Sequence, residues 1–171
     1  MPTSAPLIVT VKLDKQAQEY FAALRQKHFP AHCNYMEAHL TFFHKLPANL
    51  DVMDATLKKF AEHGTMDLEV TGIRNIGNGN VFTLASVELG HLHKAMQQSL
   101  GKYLITQDRK KLWPHITVQN KVTAFKAKQT TELLLDNFKP FTIKAIGLTS
   151  WLYLKGPWQH QKDYLFNNSL A

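Results

Sequence analysis

Cysteine is nearly absent from this chain of 171 residues, in which Cys33 is the single thiol. One thiol can form neither an internal disulfide nor a cysteine-based zinc site, so the sequence predicts a protein of a reducing compartment and a cytoplasmic location. A chain of this length buries roughly 70% of the surface that its unfolded form exposes, which is enough for a core without cross-links. We therefore expect one folded domain over residues 1–171.

Long hydrophobic runs are also missing. No stretch approaches the roughly 18 apolar residues that a membrane-spanning helix needs, so we expect no membrane association. The first apolar run, at residues 7–11, is shorter than the core of a secretory leader and is interrupted by Thr10. No basic residue precedes it, so the sequence predicts no export signal.

Acidic residues are few, with 13 Asp and Glu against 20 Lys and Arg, which gives a formal net charge of +7. These carboxylates are scattered, without the close pair of a two-metal phosphoesterase or an aspartate-rich loop, so we expect no metal and no other cofactor. The basic excess favours an anionic partner such as RNA or a nucleotide, although solubility alone is an alternative explanation. No sequence feature predicts an obligate protein partner.

Linkers and low-complexity segments are absent, but a short motif occurs twice. His39-Leu40-Thr41-Phe42 recurs later in the chain as His115-Ile116-Thr117-Val118. Helical periodicity precedes and follows each motif, and two strand-like segments come next in both halves. A repeated motif with repeated flanks indicates a duplicated supersecondary unit.

The duplicated unit has the order helix, motif strand, helix, strand, strand. We predict a first strand at residues 7–13, helices at 14–28, 50–63, 91–104 and 123–138, and strands after the motifs at 66–73, 80–87, 141–148 and 150–154. Gly77-Asn78-Gly79 indicates a hairpin in the first half. The sequence thus predicts an α+β fold of two pseudo-symmetric lobes, at about residues 14–88 and 91–158, each a mainly antiparallel sheet with helices outside.

The two motifs place the same side chains on one face of each predicted strand. Because successive side chains alternate, His39 and Thr41 point together, as do His115 and Thr117, while hydrophobic residues fill the opposite face. If the lobes face one another, one neutral and one protonated imidazole supply the base and the acid for displacement at phosphorus. The hydroxyls can bind the nonbridging oxygens. We predict that the two histidines are catalytic and that the two threonines bind phosphate.

Five further residues are candidate substrate contacts. The same alternation places Lys45 and Lys121 on the motif faces, and Arg109 lies in a basic loop before the second motif, so each can reach phosphate. The alternative is that each is simply solvated. Trp151 and Tyr153 can stack on a base, although core packing is an equally good explanation of such aromatic residues.

Two neighbours of the first motif have alternative interpretations. Glu37 shares the face of His39 and can orient its ring, but the equivalent position in the second half is Trp113, so a solvated carboxylate is the alternative. His44 faces away from the motif side, and we expect a buried imidazole there rather than a catalytic one.

Paired His-x-Thr-x motifs in a duplicated chain of this size resemble the 2H phosphoesterase superfamily, and in particular its bacterial 2′-5′ RNA ligase-like proteins. Three further segments also resemble one bacterial branch of that family: Gln107-Asp108-Arg109, the segment at residues 113–122, and Gly156-Pro157-Trp158. The resemblance therefore covers nearly the whole chain.

The resemblance implies a chemistry as well as a site. Family members open 2′,3′-cyclic phosphates, hydrolyse 2′-5′ linkages or ligate RNA ends in the reverse direction. Their paired histidines are the acid and the base and their paired threonines bind phosphate, which corresponds here to His39, His115, Thr41 and Thr117. Which histidine is the base and which is the acid stays open.

We expect a metal-independent phosphoesterase that acts on RNA ends or on small cyclic or 2′-5′ nucleotides. The alternative is an RNA-binding module that has the same cleft without turnover. A steep loss of affinity with salt, combined with no reaction product, would favour that alternative.

Overall fold

Two copies of a repeated unit build the fold, as the repeated motif predicts. The computed structural model describes residues 5–48 and 51–167. Within them lie seven strands and four helices, in the order β1 (Leu7–Leu13), α1 (Lys15–His28), β2 (Leu40–Leu46), α2 (Asp51–Phe60), β3 (Met66–Asn75), β4 (Asn80–Ala85), α3 (Val87–Leu100), β5 (His115–Gln119), α4 (Ala124–Asp136), β6 (Phe141–Tyr153) and β7 (Trp158–Leu165). All pairs between these strands are antiparallel, and the predicted α+β fold class is confirmed.

Side-chain caps determine where three of the helices begin. Asp14 caps α1, as its sequence predicts, and Thr123 caps α4 in the same way. Ser86 caps α3, so this helix begins well before the predicted residue 91, and the preceding strand is shorter than predicted. Helix α2 is described from Asp51 onward. Its predicted first residue, Leu50, lies outside the described residues. No helix in the described ranges has both the length and the apolar character needed to cross a membrane.

The second hairpin differs from its prediction. Residues 141–148 and 150–154, predicted as two strands, form the single strand β6, and the hairpin partner is β7. Lys155 and Gly156, both with positive φ, lie in the turn between them. Tyr164 is the one buried residue of β7, so this strand lacks the hydrophobic alternation that would reveal it in the sequence.

The strands form one sheet in the order β2-β1-β6-β3-β4-β5, with β7 added beside β6. Strand β6 joins the two ends of this order. Its first residues pair with β3, its later residues pair with β7 on the same side, and β1 runs along its other side. The first motif strand therefore belongs to the set β2-β1-β6 and the second to the set β5-β4-β3. These sets cut across the lobe bounds predicted at residues 14–88 and 91–158.

The strand pairing also shows where each repeated unit begins. Strand β1 lies beside the first motif strand as β4 lies beside the second, so each unit runs strand, helix, motif strand, helix, strand. The third strands of the two units are exchanged. Strand β6 of the second unit pairs with β1, and β3 of the first unit pairs with β4. This exchange is the reason why the lobes do not follow the halves of the sequence.

Aromatic side chains form much of the core between helices and sheet. Phe21 of α1 and Phe82 of β4 are fully buried, with ring centroids 5.4 Å apart in an edge-on arrangement. Helix α1 also packs against β5, the motif strand of the other unit. A helix that follows the first strand of the chain thus supports the second motif.

We expect Gly147→Ala to destabilise the fold, because a Cβ at this position of β6 would lie 2.5 Å from the backbone oxygen of Tyr164 in β7. Gly72→Ala is the matched control, since its Cβ would meet only the Oγ1 atom of Thr83, a movable side-chain atom, at 3.3 Å. The free energy of unfolding, measured by urea denaturation, should fall by about 1–3 kcal/mol more in the first variant. Equal losses in the two variants would contradict the close approach of β6 and β7.

Candidate active site

Both motif strands contain the same irregularity. Phe42 of β2 is an extra residue without a partner in β1, and Val118 of β5 is the extra residue at the equivalent position. Strand pairing is regular before each bulge, so the half-buried Thr41 and Thr117 keep the predicted alternation with their buried neighbours. After a bulge the alternation changes, and Phe43 is buried next to Phe42.

The backbone two residues earlier holds each motif histidine. His39 Nδ1 lies 2.7 Å from the carbonyl oxygen of Glu37, and His115 Nδ1 lies 2.8 Å from that of Trp113. A carbonyl oxygen only accepts, so each Nδ1 carries a proton and each Nε2 is the atom that can take up or give one. The ring of His39 is therefore oriented by the backbone of Glu37, not by its carboxylate. A backbone contact needs no particular side chain, which explains why a tryptophan can occupy the equivalent position.

The curl of the sheet brings the two motifs together. Strands β2 and β5 lie at opposite ends of the strand order, yet they contact each other. A positive charge on His115 lowers the pKa of His39, so the two imidazoles lie within electrostatic range of one another. Arg25 of α1 stabilises this region, because its Nη1 donates to the carbonyl oxygen of Thr117 (3.0 Å) and its Nε to Asn34 Oδ1 (3.1 Å).

Burial favours the neutral form of both imidazoles. Desolvation, followed by the positive charges of Arg25, His115 and His44, lowers the pKa of His39 to about 4. The pKa of His115 is also lowered, first by desolvation and then by the charge of His44. In the free protein near pH 7, both Nε2 atoms are therefore unprotonated and able to act as bases.

Arg25 belongs to this region although the helical pattern alone does not reveal its role. It lies one helical turn after Phe21, on the buried side of α1, and its guanidinium carbon is 4.2 Å from the ring centroid of Phe29. A charged residue within the buried stripe of an amphipathic helix is the sequence signal for such a role.

The motif threonines have hydroxyls that are open to a ligand. Thr41 and Thr117 are half-buried, and in the part of the chain that the structure describes neither hydroxyl has a hydrogen-bond partner. Each follows its histidine by two residues, before the bulge. A hydroxyl at this place can donate to an anionic ligand bound at the imidazole.

A cleft of about 660 Å³ opens beside His39. The indole Nε1 of Trp151, in its lining, donates to Thr10 Oγ1 (2.9 Å) and so fixes that ring at the cleft. Tyr153, the other aromatic candidate, is exposed at the end of β6 and is not part of the lining. Among residues 5–48 and 51–167, no group of three or more His, Cys, Asp or Glu side chains is arranged to hold a metal ion.

Each motif histidine lies against a tryptophan. The ring centroids of His39 and Trp158 are 4.6 Å apart, and those of His115 and Trp113 are 4.2 Å apart in a stacked arrangement. At the second motif, the guanidinium carbon of Arg74 also lies 5.1 Å from the ring centroid of Trp113. Each indole covers part of its imidazole, which agrees with the desolvation that lowers both pKa values.

The three basic candidates are all exposed, and none has a contact with His39 or His115 among the described residues. Lys121 follows the end of β5 with a left-handed φ of 60°. Strand alternation therefore does not extend to it. Arg109 ends a 3-10 turn before the second motif, and Lys45 follows the bulge in β2.

His44 is exposed rather than buried, which corrects the prediction for this residue. Its side chain is 44% exposed, and its Nδ1 lies 2.9 Å from Oδ1 of Asp108. The Asp108 side chain is completely buried and also accepts from the backbone N–H groups of His44 and Lys45, at 2.9 and 3.0 Å. A second irregularity of β2, between Phe43 and Leu46, accompanies these contacts. Sequence reasoning does not find this role of Asp108, because the backbone that it binds lies 64 residues away.

Solved structures share this fold over nearly the whole chain. TT0787 of Thermus thermophilus has a TM-score of 0.63 at 14% identity, with 94% of this chain and 97% of that chain covered. E. coli LigT, solved in complex with 3′-AMP, has a TM-score of 0.59 at 16% identity, with coverages of 96% and 99%. A crystal structure described as a phosphoesterase has a TM-score of 0.60 at 14% identity, with coverages of 95% and 98%. At these identities the likeness shows the fold alone, and no curated protein matches the chain.

A protein-family model extends the comparison from fold to family. The model of the 2′-5′ RNA ligase superfamily matches residues 13–156, a span that contains both motif strands, Asp108 and the tryptophan at the cleft. With both His-x-Thr-x motifs inside that match and the fold of the solved phosphoesterases around them, this chain belongs to the 2′-5′ RNA ligase superfamily of 2H phosphoesterases.

Proposed function

We propose that this protein is a metal-independent phosphoesterase in which His39 and His115 act as acid and base on 2′,3′-cyclic phosphates or 2′-5′ phosphodiesters of RNA ends or small nucleotides. The observation that carries the proposal is that both imidazole rings are held by the same backbone hydrogen bond and have the same tautomer. Each Nδ1 donates to a backbone carbonyl, so each Nε2 is available for proton transfer. Family membership and the binding of 3′-AMP by E. coli LigT support a nucleotide ligand.

Opening of a 2′,3′-cyclic phosphate needs two proton transfers on opposite sides of phosphorus. The unprotonated Nε2 of one histidine removes a proton from water as its oxygen attacks phosphorus. The protonated Nε2 of the other gives a proton to the ribose oxygen as the P–O bond breaks. Each positioned transfer contributes roughly 10²–10⁴-fold in rate.

The second proton must be taken up from solvent by one imidazole when the substrate anion binds. Both imidazoles favour the neutral form in the free protein because desolvation lowers their pKa values. A phosphate anion placed between them favours a protonated ring. The open hydroxyls of Thr41 and Thr117 then donate to the nonbridging oxygens, where negative charge increases in the transition state.

The same two groups can act on a 2′-5′ linkage. One histidine removes the proton of the neighbouring 3′-hydroxyl, which attacks phosphorus, and the other protonates the departing 5′-oxygen. The products are a 2′,3′-cyclic phosphate and a 5′-hydroxyl end. Run backwards, with the roles of acid and base interchanged, this reaction is ligation of RNA ends.

The cleft beside His39 is the proposed place of the nucleobase. Trp151 lines it, fixed by its hydrogen bond to Thr10, and Trp158 lies next to the same histidine. An aromatic face contributes roughly 1–3 kcal/mol to the binding of one stacked base. We therefore retain Trp151 as a substrate contact and place Tyr153 outside the base site.

An RNA-binding module without turnover is the second candidate function. The net charge of +7 and the exposed basic residues Lys45, Lys121 and Arg109 favour it. Its signature is affinity for single-stranded RNA that falls by orders of magnitude with salt, while no cyclic or 2′-5′ substrate yields a product.

Replacing either motif histidine should abolish most of the hydrolysis of a 2′,3′-cyclic nucleotide. We expect His39→Asn and His115→Asn each to lower kcat by roughly 10²–10⁴-fold, because each removes one Nε2. His91→Asn, on the exposed surface of α3, is the matched control and should keep full activity. Turnover should also persist in EDTA. Activity that needs added divalent metal, or that survives both motif substitutions, would overturn the proposed mechanism.

The pH dependence of kcat/KM should be a bell with its maximum on the acidic side. Its acid limb reports the pKa of about 4 at His39, and its alkaline limb lies below pH 6.5 because the pKa of His115 is also lowered. The measurement is kcat/KM for a cyclic nucleotide between pH 3.5 and 8, roughly the range of both limbs. A maximum at or above pH 7 would contradict the neutral state of the free site.

Acid stability provides an independent measurement of the desolvation of the His39 ring. Between pH 6.5 and about 4, the unfolded chain binds a proton at His39 that the folded chain does not, so stability is lost as the pH falls. In His39→Asn the loss of unfolding free energy between pH 7 and pH 4.5 should be smaller by roughly 1–3 kcal/mol. His115→Asn should change it in the same direction by less. An unchanged loss in His39→Asn would show that this imidazole is not desolvated.

A further inference from the structure

Four basic residues lie on two segments that are distant in sequence and pack against each other. His44 and Lys45 follow the bulge in β2, and Arg109 and Lys110 lie at the end of the 3-10 turn that packs against this strand. We call this set of four the basic edge. All four side chains belong to exposed residues.

A buried carboxylate holds the basic edge together without neutralising its outer surface. Asp108 is completely buried and accepts hydrogen bonds from the N–H groups of His44 and Lys45 and from His44 Nδ1. Within the described ranges, Lys45, Arg109 and Lys110 form no ion pair. Lys45, Arg109 and Lys110 therefore present their charges to solvent without acidic partners among the described residues, and His44 is the one member that is paired with Asp108.

His44 is an imidazole that the two-histidine mechanism does not use. A carboxylate oxygen accepts, so the Nδ1 of His44 carries the proton of its bond to Asp108, and Nε2 is the remaining polar atom of an exposed ring. Its charge lowers the pKa of both His39 and His115, so it lies within electrostatic range of both. His44 also follows Thr41 by three residues along β2, about 10 Å by strand rise, so a nucleotide whose phosphate lies between those two rings can extend to this imidazole.

The geometry points to a second phosphate site, in which His44 Nε2 and Lys45 Nζ bind a phosphate on O5′ of the nucleotide whose 2′,3′-phosphate lies between His39 and His115. This inference rests on the proposed function and narrows its substrate class. When the 2′ and 3′ oxygens of the terminal ribose hold the reacting phosphate, O5′ is the other oxygen that carries one. An imidazole placed between a phosphate and the Asp108 carboxylate donates from both nitrogens, and the lysine adds a point charge.

The test compares substrates that differ in a single phosphate. Adenosine 2′,3′-cyclic phosphate has no phosphate on O5′, its 5′-phosphorylated form has a monoester there, and a dinucleotide that ends in a 2′,3′-cyclic phosphate has a diester there. We expect kcat/KM to be about tenfold higher for at least one phosphorylated form than for the first substrate. A larger increase in kcat/KM for the 5′-monoester indicates that the substrate is a small 5′-nucleotide. A larger increase for the diester indicates that it is an RNA end.

Two variants should remove this preference. His44→Asn keeps a polar group near Nδ1 but removes Nε2, and Lys45→Gln leaves the backbone N–H that binds Asp108 unchanged. In each we expect the ratio of kcat/KM for the phosphorylated substrate to kcat/KM for the unphosphorylated one, both measured with the same variant, to fall most of the way to one. His91→Asn and Lys128→Gln, exposed on α3 and α4, are the matched controls and should retain the ratio. Thermal unfolding of each variant verifies that its fold is intact.

A ratio near one in the unsubstituted protein, or an equal loss for all three substrates in both variants, would overturn the inference. Calorimetric binding of adenosine 3′,5′-bisphosphate and of 3′-AMP separates this outcome from failure of the proposed function. If no substrate is turned over but the bisphosphate binds more tightly through His44, the catalytic proposal fails and the second site stands. If turnover occurs while neither the rate ratio nor the affinity depends on His44, the second site fails alone.

Discussion

Two buried charged side chains, each hydrogen-bonded to the backbone of the motif strand of the other unit, fix the two strands of the candidate site relative to one another. Arg25 comes from the first unit and donates to the carbonyl oxygen of Thr117 in the second motif strand. Asp108 comes from the second unit and accepts from two consecutive N–H groups of the first motif strand. A hydrogen bond to a charged group contributes about 1.5–3 kcal/mol, so these contacts oppose a shift of either strand against the other. The separation of the two imidazoles depends on these reciprocal contacts.

The positive surroundings and the burial of the site act on its histidines in the same direction. Desolvation and neighbouring cations both oppose an additional proton on His39. The site thus favours negative ligands and neutral rings at the same time. In the proposed function, an anion bound there would favour a proton on one of the two rings. The charge of the ligand would then determine the protonation state that acid–base chemistry at phosphorus requires.

The sequence predicts the parts of this structure that depend on local pattern. The repeated motif identifies the duplicated fold, and the Asp14 cap and the strand at Leu7–Leu13 appear where periodicity and capping place them. Long-range contacts are beyond such reasoning. The role of Asp108 depends on a backbone 64 residues away, and the exposure of His44 follows from that contact. The sequence does not predict strand β7, because this strand pairs along β6 and has almost no buried side chain of its own.

The exchange of β3 and β6 has a consequence for either unit taken alone. A single unit would leave its small sheet without its third strand, because that strand is supplied by the other copy. A polypeptide of one unit could therefore complete both small sheets only as a symmetric pair of subunits. Joining the two units in one chain removes the requirement that they be identical, and Phe43 and His44 in one unit correspond to Gln119 and Asn120 in the other.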